Sequence, residues 1–153
     1  MKKIISTLLL SLLFINCKDE NVIYQEFQEF SEAHQWQKNE NKTFEIEISK
    51  EANYDLNFKI SHVYGFQFDN LPLTCIIEDS NGNKETIPFK LGMKDASGKD
   101  LGDCTGDICD LDFLVKSNIN LKQGKYKVIF SHSFKFPYIP NIIGVGCSIS
   151  NSK

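Results

Sequence analysis

No cluster of basic residues interrupts this 153-residue chain, and its formal net charge is -3. That balance argues against a nucleic-acid binder, which needs a basic patch to displace counterions from phosphate. It also offers no polybasic surface to an anionic membrane. Beyond the first sixteen residues no apolar run approaches the roughly 20 residues that a bilayer core requires. No long stretch carries a 3.6-residue hydrophobic period, and no repeat, low-complexity tract or second domain is visible. Histidine is limited to His34, His62 and His132. Ser131-His132-Ser133 cannot join a nucleophile to its base, because successive strand residues point to opposite faces. With no converging acid, base or nucleophile, the chain reads as a non-enzyme without a cofactor.

What is present begins at the N-terminus. Lys2 and Lys3 lead into an apolar run from Ile4 to Ile15, which ends at Asn16-Cys17 and turns polar at Lys18-Asp19-Glu20. A basic start, a short apolar stretch and a cysteine at the cut describe a bacterial lipoprotein signal. Plain secretion is the rival reading, and Phe14-Ile15-Asn16 counts against it by lacking the small residues an ordinary cleavage site prefers. The expected plan is a signal peptide over 1–16, a lipidated (palmitate-bearing) Cys17 with a tether over 17–22, and one domain over 23–153. Losing Lys2 and Lys3, with no acid, moves the side-chain charge from -3 to -5. Several acyl chains on Cys17 hold a protein at a membrane where one chain does so only marginally. Lys18, Asp19 and Glu20 resemble the export signal of Bacteroidetes lipoproteins, which is linked to display on the outer face of the outer membrane. Periplasmic or surface exposure of an outer-membrane anchor both fit.

The rest of the chain alternates in hydrophobicity. Phe44, Ile46 and Ile48 share one face, as do Tyr54, Leu56, Phe58, Ile60, His62 and Tyr64. The same phase runs through Leu71 to Ile77, Ile87 to Leu91, Cys109 to Val115, Tyr126 to Phe134, and Ile143 to Ile149. Turn chemistry at Asp79-Ser80-Asn81-Gly82-Asn83, Ser97-Gly98-Lys99 and Gln123-Gly124-Lys125 separates the runs. Glu26 to Trp36 fits either a helical turn or a bent first strand. The pattern predicts an all-β, antiparallel, jelly-roll-like sandwich of about eight strands.

Cys75 and Cys147 fall on the inward phase, which pairs them across the core and leaves Cys104 with Cys109 as a loop staple. The longer bridge would close about 70 residues and contribute roughly 4 kcal/mol. Zinc is the rival for four cysteines, but Cys104-x4-Cys109 has loose spacing and the other two are scattered. The acidic loop from Asp103 to Asp110 and the turn at Asp79 carry oxygen ligands without EF-hand spacing, so no metal is assigned. His62 and His132 lie on inward phases and stand near one end of the sandwich, where a satisfied histidine is the commoner outcome. Two aromatic segments, Tyr64 to Asn70 and Phe134 to Asn141, read first as core filling. With Trp36 they also offer a platform for a sugar or a protein through Tyr64, Phe66, Phe134, Lys135 and Tyr138.

The order of features resembles the gliding-motility lipoproteins of the GldH type from Bacteroidetes. The resemblance rests on Tyr24, Phe27, Trp36, Phe44-Glu45-Ile46, Asn53-Tyr54-Asp55-Leu56 and Asp69-Asn70-Leu71-Pro72-Leu73. It continues through Leu91-Gly92-Met93-Lys94-Asp95, Gly98, Leu101-Gly102, Gly124-Lys125-Tyr126 and Ile142-Ile143-Gly144-Val145-Gly146. The family favours arginine where Ser61-His62 stands and Met-Arg where Phe134-Lys135 stands, and neither replacement reproduces a bidentate guanidinium fork. The glycine expected around Asn141 is also absent. The resemblance implies a non-catalytic accessory of the gliding and type 9 secretion apparatus, held by lipid and contacting envelope proteins through its loops. A surface glycan-binding or adhesion lipoprotein is the alternative.

Overall fold

The computed structural model describes residues 21–153. The expected signal peptide, Cys17 and Lys18-Asp19-Glu20 lie outside the described residues. Eleven strands and no helix occur among those described: β1 (Val22–Glu29), β2 (Gln35–Gln37), β3 (Lys42–Ile48), β4 (Ala52–Val63), β5 (Asn70–Asp79), β6 (Lys84–Gly92), β7 (Asp103–Thr105), β8 (Ile108–Leu121), β9 (Gly124–His132), β10 (Tyr138–Pro140) and β11 (Ile142–Asn151). The surplus over the expected eight consists of β2, β7 and β10, each three residues long. Glu26 to Trp36 resolves as the bent-strand alternative: β1 ends at Glu29, His34 takes a positive φ of 50°, and β2 begins at Gln35.

One sheet runs β1-β11-β4-β8-β7, the other β3-β9-β5-β6, and β10 pairs with β2 separately. Setting aside the three short strands, the first, eighth, third and sixth alternate in one layer. The second, seventh, fourth and fifth do so in the other, which is jelly-roll order. Alternation along each strand produces the layers. Phe44, Ile46 and Ile48 of β3 face Tyr54, Leu56, Phe58 and Ile60 of β4 within one core, all of them buried. Phe58 and Phe130 join the two sheets with ring centroids 4.7 Å apart.

The register departs from strict alternation in β11. Ile142 pairs with His62 and Gly144 with Ser61, so a bulge places two residues opposite one. Ile142 is consequently fully buried and Ile143 only partly so, reversing the phase expected at that point. Further along, Gly144 and Gly146 lie beneath the Phe27 ring of β1. A Cβ on Gly144 would stand 2.6 Å from Phe27 Cε1 and 2.7 Å from the Gln28 carbonyl oxygen. Backbone blocks one side of that contact, so Gly144→Ala is expected to lift β1 from β11. We predict a loss of about 1–3 kcal/mol, with amide hydrogen exchange accelerating in β1 before it does in β4. Unchanged β1 protection would disprove this account of the glycine.

Candidate functional site at the loop end

Three loops and a hairpin meet at one end of the sandwich. The β4–β5 loop is clasped by Asp100, whose Oδ2 accepts the Gly65 and Phe66 N–H groups while its Oδ1 meets Lys94 Nζ at 2.9 Å. Burial alone would raise the Asp100 pKa, but the Lys94 ammonium and the two N–H donors outweigh it and hold the carboxyl below its usual range. Tyr64 N–H donates to the Asp107 carbonyl in the β7–β8 turn, and Val63 N–H to that of Asn141. The β6–β7 loop thus delivers one buried acid, Asp100, to the backbone of its neighbour.

Aromatic rings step outward through this end. Phe66 meets Phe68 at 5.7 Å, Phe68 meets Phe134 at 4.8 Å, and Phe134 meets Phe136 at 5.6 Å. Lys135 Nζ lies 4.9 Å from the Phe136 ring centre, a cation–π contact at the surface. Among the sequence candidates, Tyr64 (60% exposed), Tyr138 (37%) and Lys135 reach solvent. Trp36, Phe66 and Phe134 do not: they are 0%, 1% and 5% exposed and belong to the core or its rim. Trp36 turns inward because its Nε1–H finds the Glu40 carbonyl at 2.7 Å and its faces find Phe30 and Phe58. Phe136, 48% exposed and within the second aromatic segment, joins Tyr64, Tyr138 and Lys135 at the surface.

The cysteines divide differently from the expectation. Cys104 and Cys109 form a disulfide across the β7–β8 pair. Cys75 and Cys147 are both buried but remain free thiols. Inward phase brings two residues into one core, yet a bridge also needs Cα atoms within about 4.4–6.8 Å, and facing sheets typically lie about 10 Å apart. Burial pushes the Cys75 thiol up to about 12 and raises Cys147 further, so both stay protonated and unreactive.

His132 has both ring nitrogens engaged, Nε2 with the Trp36 carbonyl at 3.1 Å and Nδ1 with Phe134 N–H. Burial lowers its pKa. His62 shares no ring contact or hydrogen bond with it; its ring lies tilted against Phe66, with centroids 5.3 Å apart. The Asp79 carboxylate is consumed by its own turn, accepting from Asn81 and Asn83. On the outer sheet face Asp110 accepts from Ser61 and pairs with Lys59 at 2.8 Å. Two open grooves of about 600 Å³ lie toward the opposite end, lined mainly by polar residues. No helix among the described residues is long and apolar enough to cross a membrane.

Fold and site together define a jelly-roll module with one aromatic, loop-built tip. The chain belongs to the GldH lipoprotein family, whose model matches residues 22–149. Two motifs of the resemblance, Phe27 and the Gly144-Val145-Gly146 run, are direct sheet partners here, with Phe27 opposite Gly146. No curated protein matches the chain. Among solved structures it is similar to an exo-β-1,3-galactanase from Phanerochaete chrysosporium, at 10% identity and a TM-score of 0.36 over 81% of this chain and 29% of that one. A CocE/NonD family hydrolase from Staphylococcus aureus gives 13% identity and 0.39 over 86% and 31%. The infectious bursal disease virus Gx strain gives 12% identity and 0.30 over 84% and 29%. The chain thus spans about three-tenths of each, and likenesses this distant carry no inference about activity.

Proposed function

We propose that the mature protein is a lipid-anchored, non-catalytic scaffold of the gliding-motility and type 9 secretion apparatus at the outer membrane. The observation that carries this reading is the polarity of the sandwich. Val22, where the tether would join the domain, pairs with Ser150 at one end of the five-stranded sheet. Tyr64, Phe136 and Tyr138 are exposed at the other, beside Val63 and Asn141. An eight-residue β1 separates the ends by about 25 Å. Lipid on Cys17 would hold one end at the bilayer and present the aromatic tip to a neighbouring envelope protein. Aromatic side chains supply large contact area at small entropic cost, and Lys135 adds a charge beside them.

The test is a lipidated chain carrying Tyr64→Ser, Phe136→Ser and Tyr138→Ser together. Expected is loss of colony spreading and of type 9 secretion, as in a deletion strain, with the urea midpoint shifted by no more than about 0.5 kcal/mol in stability. Normal spreading and secretion in the triple variant would sink the scaffold reading. Retention of the parent chain on a polysaccharide column, lost in the triple variant, would move the assignment to glycan binding. Protease shaving of intact and lysed cells separates the two faces of the membrane.

A further inference from the structure

We infer that His62, Asp100 and Cys109 form a divalent-metal site of the zinc class, which the Cys104–Cys109 disulfide holds closed. Their ligand atoms all lie within 4.8 Å of one another, and all three residues are buried. Tetrahedral zinc bonds of about 2.0–2.3 Å put ligand atoms about 3.3–3.8 Å apart, so the cluster needs to contract by about 1 Å.

The histidine carries the argument. His62 is fully buried, and its Nδ1 lies 2.9 Å from the Val63 carbonyl oxygen. A carbonyl only accepts, so Nδ1 bears the hydrogen, and in that tautomer Nε2 presents a lone pair. That Nε2 is buried without a hydrogen-bond partner. Its close neighbours are a carboxylate and a disulfide sulfur, neither of which donates. A buried acceptor left unpaired beside an anion costs about 1–3 kcal/mol, which a cation between them would relieve. Donation of the far ring N–H to a backbone carbonyl is also how metal-ligating imidazoles are fixed in tautomer and orientation.

The other two ligands fit the same ion. Asp100 accepts from Lys94, Gly65 and Phe66, yet its two oxygens have about four acceptor sites, leaving room for a metal bond. Cys109 is fully buried while Cys104, its partner across the hairpin, is exposed. Nitrogen, thiolate and carboxylate in threes, with one position open, suit zinc. A sulfur in a disulfide lacks the thiolate charge, which is why the site is closed as it stands.

Opening it takes two electrons from a dithiol reductant. One thiolate of the reductant attacks the exposed Cys104 sulfur, forming a mixed disulfide and expelling Cys109 as a thiolate beside His62 Nε2. The reductant's second thiolate then attacks its own bridged sulfur, leaving as a cyclic disulfide and releasing Cys104 as a thiolate, which takes a proton from solvent. The metal occupies the Cys109 thiolate. Because Asp100 holds Gly65 and Phe66 and His62 packs on Phe66, the bound ion would tie the hairpin to the aromatic tip.

The experiment uses the full chain with Cys17→Ser throughout, titrated with Co²⁺ as a spectroscopic probe and back-titrated with Zn²⁺. Cys104→Ser leaves Cys109 as a thiol without any reductant. That variant is expected to bind one equivalent of Co²⁺ with a thiolate-to-metal charge-transfer band, displaced by Zn²⁺, whereas the oxidised parent shows none. Adding His62→Gln or Asp100→Asn should weaken binding at least tenfold, and adding Cys109→Ser should remove the band. Equal uptake with and without His62→Gln, or no band from folded Cys104→Ser, overturns the site. If Cys104→Ser does not fold, the phosphine-reduced parent takes its place, compared with its own His62→Gln form under the same criteria.

Discussion

Trp36→Ala is expected to remove about 3–5 kcal/mol of stability and to lower the urea midpoint accordingly. The indole is fully buried, packs against Phe30 at 5.4 Å and Phe58 at 6.5 Å, and receives the His132 ring edge-on at 5.1 Å. Truncation empties that volume and orphans the Glu40 carbonyl that Nε1–H now satisfies. It also removes the ring against which the His132 imidazole packs, although the Trp36 carbonyl that holds His132 Nε2 remains. Domains of this size hold about 5–15 kcal/mol in total, so one substitution consumes a fifth or more. Trp36→Phe should recover much of the packing but not the hydrogen bond. A ligand-binding tryptophan would behave oppositely: the alanine variant would lose binding and keep its urea midpoint. An unshifted midpoint would therefore return Trp36 to the surface candidates.

The second large effect is expected at the Asp100 clasp. Asp100→Ala leaves the Lys94 ammonium without its partner in a site where the two side chains are 2% and 17% exposed. It also strands the Gly65 and Phe66 N–H groups. Breaking such a pair from one side costs about 3–5 kcal/mol. Lys94→Met should cost less, because the two backbone donors still serve the carboxylate. The double variant should be more stable than the sum of the singles predicts, since the uncompensated ammonium is gone. Acid titration gives an independent reading. The folded Asp100 pKa is depressed, so its stabilising contribution is complete above the ordinary carboxylate pKa and lost as pH falls through the lower folded value. Thermal melts of the parent between neutral pH and pH 2 should show this loss, and Asp100→Asn should flatten part of it. Parent and Asp100→Asn curves that run parallel across that range would refute the clasp.

Much of this architecture is legible in the sequence because one physical rule governs it. A half-buried strand must alternate, and Phe44-Glu45-Ile46-Glu47-Ile48 and Tyr54 through Ile60 do so without exception. Alternation fails where the backbone itself changes count: the bulge at Ile142 and Gly144 costs one residue of phase, and Ile143 looks as apolar as its neighbour. It also says nothing about loops. Phe66, Phe134 and Phe136 are chemically alike in sequence, and only the folded course of the loops sends two inward and one out. Asp100 gave no signal because an acid in a polar loop ordinarily faces water; its role depends on the backbone of residues 65 and 66. The metal cluster was equally hidden, since it joins β4, the β6–β7 loop and the hairpin. His62 stands out in sequence for its inward phase and Cys109 as half of a staple, but nothing there singles out Asp100.

The strand order also bears on how the molecule comes into being. Among the described residues β1 pairs only with β11, the last of the described strands. A polypeptide delivered across a membrane from its N-terminus must hold its first strand unpaired until the final segment arrives, so that the five-stranded layer closes last. Contacts of such long sequence separation form slowly, and until they do an unprotected strand edge stands where Val22 enters the sheet. On the proposed envelope reading, chaperones that grip extended chain would find their substrate in that strand, in the interval before the layer closes.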